Sequence, residues 1–337
     1  MPPKDRIVSK ALRALTVLLL AGITSSAQDF QIRTRVDLVV VPVTVKGSDD
    51  QLINGLSERN FVVYEDGRQQ NLSNFTIDPV PLSAAVVLDT GLTATSYIKL
   101  QKTLPALAGA FSDFDEVSVY RFNKFVTQLV DFSKDKTVVE KALNKLKDIE
   151  PSSPSVSSGP FVNSTPVFNG LPVIAPSLGV GSRSVPAKVS KVLHDAMFAA
   201  ANDLAKRPPE RRRIVLIVTD GLSSGNDHSY DQAVAQLLDQ NIQVYSLGMD
   251  AAFLARQTSV LDDYSKATGG DAFYVDTLDK LERSYNQATD EARNQYVLGY
   301  FSTNKVDGPL PVFRQIVVKT DRPGLETIHR KGYYQYP

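Results

Sequence analysis

Cysteine and tryptophan are absent from the 337 residues, and histidine occurs three times. These gaps exclude a disulfide framework, a thiol nucleophile, a thiolate zinc site and an iron–sulfur cluster, and they leave too few imidazoles for a His-rich metal centre. An excess of one charge is also missing, since 37 basic side chains stand against 37 acidic ones. A balanced chain has no field to draw it to nucleic acid. The one basic cluster, Lys206-Arg207 with Arg211-Arg212-Arg213, reads as a solvated connection stiffened by Pro208-Pro209. Beyond the first residues no apolar run reaches the ~20 residues a membrane span needs. What remains is 42% hydrophobic, enough for one large core or two smaller ones.

The N-terminus has the pattern of an export signal. Lys4, Arg6, Lys10 and Arg13 precede a mostly apolar run from Ala14 to Ile23, and Ser25-Ser26-Ala27 supplies small residues for cleavage after Ala27. An uncleaved anchor helix is the alternative, for which the run is short. Losing residues 1–27 leaves 33 basic against 36 acidic side chains. The expected mature chain is therefore exported, whether periplasmic, envelope-associated or secreted, with no membrane span of its own.

Two flanks of β character enclose an alternating centre. Residues 28–81 contain the β-branched run Val36 to Val45 and the segment Phe61 to Arg68, whose Asp66-Gly67 pair suits a tight hairpin. Residues 294–337 contain Tyr296 to Phe301, Phe313 to Lys319 and a stretch around Tyr333-Tyr334. Between them, residues 82–293 alternate short apolar runs (Ala84 to Leu88, Val117 to Tyr120, Ile214 to Val218, Ile242 to Leu247) with helical stripes at 3,4 spacing. The stripes are Tyr97 to Phe111, Val139 to Ile149, Val189 to Leu204 and Leu278 to Ala292. This pattern predicts an α/β domain, a doubly wound, mostly parallel sheet inserted between terminal strands that pair into a β-sandwich-like domain. Residues 151–188, rich in Ser, Pro and Gly, read as a long loop leading into the helix that starts near Val189.

In such sheets ligands bind at the carboxyl ends of the strands. Asp89 follows Val86-Val87-Leu88, and Asp220 follows Ile217-Val218-Thr219. If those strands are neighbours, the two carboxylates and the Thr93 hydroxyl offer hard oxygen ligands for Mg²⁺ or Mn²⁺. The alternative is that both aspartates cap turns and helix starts.

Asp89-Thr90-Gly91-Leu92-Thr93, Thr219-Asp220-Gly221 and Ala267-Thr268-Gly269-Gly270 together resemble the motifs of von Willebrand factor A domains. More narrowly, the chain resembles the bacterial von Willebrand factor A-related proteins described chiefly from Acidobacteria. That resemblance covers about residues 33 to 335 and adds Val36 to Val41, Gly55 to Gly67, Tyr296 to Tyr300 and Arg330 to Tyr334. It implies an extracytoplasmic protein-binding or adhesion module whose metal-ion-dependent adhesion site holds a divalent cation completed by an acidic group of a partner. Carried over, Asp89, Thr93 and Asp220 match metal ligands, whereas Gly91 replaces a serine. Counting four residues back from Asp195 puts Lys191, beside Ser190, where relatives place a threonine. An ammonium there would compete with the cation, so the site is expected to be degenerate, with Lys191 paired to Asp89 or Asp220.

Two enzymatic readings compete. Gly221-Leu222-Ser223-Ser224-Gly225 matches a nucleophile elbow, with Asp250 or Asp262 and His329 in the required order, but Asn226 to Ser229 separate it from the next helix. Asp89-x-Gly91 also resembles an aspartyl-phosphatase motif that lacks its second aspartate. His194 reads as a partly buried side chain, and His228 and His329 have no spacing partner. The expected role is non-catalytic protein binding, with an inert envelope scaffold as the alternative.

Overall fold

The computed structural model describes residues 38–150, 190–255, 259–306 and 308–337, with the backbone of a short hairpin, β8 (Val167–Phe168) and β9 (Leu171–Pro172). The expected signal at 1–27 and, that hairpin apart, the expected loop at 151–188 lie outside the described residues.

The alternating centre forms a six-stranded sheet. Its strands are β5 (Leu82–Asp89), β6 (Glu116–Phe122), β7 (Val126–Ser133), β10 (Arg212–Thr219), β11 (Gln243–Gly248) and β12 (Ala272–Tyr274), in the order β12-β11-β10-β5-β6-β7. All neighbours run parallel except β7, which returns antiparallel along β6. Burial on both faces is why these strands are continuous apolar runs rather than alternating ones. Successive side chains alternate between two cores. Ala84, Val86 and Leu88 face α1 (Ala94–Gly109) and α7 (Leu278–Arg293), whereas Ala85 and Val87 face α3 (Leu193–Leu204) and α4 (Tyr230–Asp239). Three further helices, α2 (Lys136–Asn144), α5 (Ala251–Leu254) and α6 (Val260–Thr268), complete the layers. The chain leaves β5 toward β6 and leaves β10 toward β11, so the switch in strand order lies between β5 and β10.

The terminal strands pair with each other. β1 (Leu38–Lys46) runs antiparallel to β13 (Tyr296–Phe301) in a sheet ordered β15-β1-β13-β4, where β4 is Leu72–Thr76 and β15 is Glu326–Ile328. A second sheet, β16-β14-β2-β3, joins β2 (Phe61–Glu65), β3 (Arg68–Gln70), β14 (Val312–Thr320) and β16 (Gly332–Gln335). Val39, Val41, Val43, Val45, Leu298 and Tyr300 from one sheet share a core with Phe61, Val63, Ile316 and Val318 from the other. The hairpin expected at Asp66-Gly67 joins β2 to β3, with φ of 49° and 78° at its two turn residues.

Two local readings are corrected. The helix expected from Val189 begins at Leu193, because Lys191 extends into a backbone pair with Ser224. The arginines 211 to 213 do not form a solvated patch. Arg212 is 8% exposed and donates to the Ala292 carbonyl and the Gln295 side chain, while Arg211 and Arg213 also donate to main-chain carbonyls.

Candidate functional site

The switch between β5 and β10 places Asp89 and Asp220 at adjacent strand ends, as their positions after apolar runs imply. Between them lies Lys191, whose Nζ is 3.0 Å from Asp89 Oδ2 and 2.5 Å from Asp220 Oδ2. Its backbone is fixed by reciprocal hydrogen bonds with Ser224, in the loop after β10. Each carboxylate oxygen has a donor from the chain itself. Asp89 Oδ1 accepts from the Gly91 amide (2.7 Å) and Asp89 Oδ2 also accepts from the Thr219 hydroxyl (2.7 Å). Asp220 Oδ1 accepts from the Leu222 amide at 3.0 Å.

The group is buried, with Asp89 at 0%, Lys191 at 3% and Asp220 at 5% exposure. Burial pushes the Asp89 carboxyl above its ordinary range; the Lys191 ammonium opposes that shift and the neighbouring Asp220 carboxylate reinforces it. The two aspartates meet, but beneath the surface, so they do not form the open acidic rim that the sequence suggests.

Thr93 is not part of this cluster. Its hydroxyl caps α1, accepting from the Ser96 amide, and donates to Asp250 Oδ2 at 2.9 Å. Ser96 donates to the other Asp250 oxygen at 2.5 Å. Ser190, the alternative to Lys191, turns instead to the Ser224 carbonyl. The oxygen set expected for a divalent cation is therefore divided, and an ammonium holds the space between the two carboxylates. These residues do not fit a Mg²⁺ or Mn²⁺ ion at that point.

The hydrolase residues are dispersed. Ser223 Oγ accepts from Asn226 Nδ2, and Asp250 is engaged by Thr93 and Ser96. Asp262 is paired with Lys266, and both ring nitrogens of His329 bond to main-chain groups in the sandwich. His194 is half-buried against the Tyr264 hydroxyl. His228 stacks on Phe198 and bonds to Asp195, which also accepts the amides of Asp227 and His228 and so pins the loop after β10.

Sequence reading passed over the bond from Thr219 to Asp89, the pairing of Asp250 with Thr93, and the apolar rim. Phe125 after β6, Leu222 after β10 and Leu254 in α5 after β11 are 80%, 55% and 85% exposed. All three stand at the carboxyl end of the sheet. Beside Phe125 opens a cleft of about 600 Å³ whose lining includes Lys124, Val192, Asp195 and His228.

Strand order, an antiparallel edge strand and an aspartate at each side of the switch point settle the fold. The domain has a von Willebrand factor A-like fold. No protein-family model and no curated protein matches the chain. Among solved structures it is similar to the conserved hypothetical protein BatB from Bacteroides thetaiotaomicron, at 14% identity over 63% of this chain and 98% of that one, with a TM-score of 0.43. It is also similar to proximal thread matrix protein 1 from the mussel byssus, solved with zinc in its MIDAS motif, at 14% identity over 69% and 50% of the two chains and a TM-score of 0.44. A third similarity is to a von Willebrand factor type A protein from Catenulispora acidiphila, at 6% identity over 88% and 73%, again with a TM-score of 0.44. At such values nothing about ligand or partner passes from those proteins to this chain.

Proposed function

We propose that this chain is an exported, non-catalytic protein-binding module that captures its partner through the loops at the carboxyl end of the central sheet. The observation that carries the reading is the exposure of Phe125, Leu222 and Leu254, two on loops and one at the end of α5, in the connections after β6, β10 and β11. Large apolar side chains presented from a rigid scaffold are what a protein interface uses, and each costs free energy while it faces water. No described cluster supplies a nucleophile, a base and an orienting group together, so no reaction is assigned. Among the described residues no helix is long and apolar enough to cross a membrane, and export is inferred from the basic and apolar pattern before Ala27.

The test is capture from an envelope extract by the full chain and by a Phe125→Asp/Leu254→Asp variant, each with and without chelator. Capture should fall at least tenfold in the variant and be unchanged by chelator. Equal capture by both proteins would defeat the reading by placing the partner away from this rim, and no capture by either would favour an inert scaffold.

A further inference from the structure

The cluster at Asp89 contains a second feature, independent of whether the rim captures a partner. Gly91 stands where a side chain has no room. A Cβ built there would lie 3.0 Å from Lys191 Cε and 2.8 Å from Asn123 Oδ1. The lysine stem thus passes over the bare Cα of Gly91 on its way to the two carboxylates. A hydroxyl-bearing residue at position 91 and a lysine at position 191 compete for the same space.

We infer that Gly91 and Lys191 are a matched pair in which a tethered ammonium takes the place of a divalent cation. Three observations converge on this. The Nζ lies within hydrogen-bond distance of one oxygen from each aspartate, and the remaining oxygens are satisfied by main-chain amides. The ammonium is covalently tethered, and reciprocal backbone hydrogen bonds with Ser224 hold Lys191 in position. The Lys191 side chain is 4% exposed, so no external carboxylate can complete its ammonium as it would complete a bound metal. Mg²⁺ demands several oxygen ligands in near-octahedral geometry, and the ammonium must leave before such a shell can form. The centre is therefore set permanently in one state and answers to neither metal nor chelator.

The inference predicts that a metal site can be restored by reversing the pair. The parent chain, a Lys191→Thr variant and a Gly91→Ser/Lys191→Thr variant would be titrated calorimetrically with Mn²⁺ and then Mg²⁺, after circular dichroism has established that each is folded. The parent should give no heat of binding at millimolar metal. The double variant should bind one Mn²⁺ with at least tenfold higher affinity than Lys191→Thr alone, and its melting temperature should rise on adding Mn²⁺. Gly91→Ser alone should melt below the parent, since its side chain meets an unmoved lysine. Stoichiometric Mn²⁺ binding by the parent, lost in Asp89→Ala, would overturn the inference. So would folded Lys191→Thr and double variants that both ignore metal. Partner capture plays no part in these readouts, so failure here leaves the rim reading untouched.

Discussion

Lys46 shows how a buried charge decides pH behaviour at a single residue. The residue is 1% exposed, and its ammonium lies 3.1 Å from Asp50, 2.5 Å from Asp271 and 2.8 Å from Glu291. One cation cannot compensate three carboxylates. Glu291 is the most deeply buried of them, and its Oε2 has no hydrogen-bond partner. Burial drives its carboxyl up to about 7, with Lys46 opposing and Asp271 assisting. The folded chain therefore holds a proton that the unfolded chain, with its usual value of 4.5, has released. The stability tied to this proton is complete below about pH 4.5 and is lost as the pH rises through about 7. The loss is on the order of 3 kcal/mol. Glu291→Gln should remove it, so that urea midpoints taken from pH 4.5 to 8 fall for the parent and stay level for the variant over that contribution. Parallel slopes in the two proteins would show that Glu291 is ionised throughout.

At the scale of elements, the short motifs are explained by close backbone approach. Gly269 ends α6 in the left-handed region at φ 81°, and a Cβ on Gly270 would lie 2.0 Å from the Val244 carbonyl oxygen of β11. Backbone cannot give way as a flexible side chain can. Gly270→Ala should therefore cost about 3 kcal/mol or more. Gly67→Ala has an equally left-handed φ of 78° but open space around it, and should cost only ~1 kcal/mol. Thermal melting of the two variants separates a steric cause from a conformational one, and equal losses would refute the steric account. The terminal motifs meet in the same way, inside the sandwich. Glu65, fully buried, accepts from the hydroxyls of Tyr300 (2.7 Å) and Tyr333 (3.0 Å), so the β2, β13 and β16 segments converge on one carboxylate. What the sequence disclosed follows from this. Apolar runs and helical stripes locate strands and helices because burial fixes their period, and a residue just after a buried strand must stand at the sheet's end. Asp89 and Asp220 were legible on those grounds, and Lys191 only through the family resemblance, by counting back from Asp195. The direction of Thr93 was not, because its partner Asp250 comes from a loop 157 residues away, held at φ 49° by contacts no local pattern encodes. The burial of the acidic pair was equally hidden, since it depends on a lysine stem crossing a glycine.

Across the whole molecule, the two sheets at the ends and the α/β layers are joined by polar contacts rather than by a linker. Residues Asp37–Pro337 form one compact unit. Lys46 on β1 reaches Asp271 and Glu291, Gln295 donates to Thr44, and Arg212 at the start of β10 reaches both α7 and Gln295. The Lys331 amide, just before β16, donates to the Ala267 carbonyl of α6. With the seam buried and hydrogen-bonded, unfolding either side strands polar groups on the other, which costs ~1–3 kcal/mol for each group left unsatisfied. The full chain should accordingly melt in one transition. A fragment of residues 82–293 carries both cores of the central sheet and should fold by itself, but it should melt several degrees lower because the seam is gone. Residues 28–81 contain β1 to β4 without β13 or β14, the strands that pair β1 and β2, and should show no cooperative melting. Calorimetry of the three chains decides the matter. Two resolved transitions in the full chain would mean that the seam transmits little, and a fragment of residues 82–293 that never folds would mean that the terminal sheets are required to form the sheet they flank.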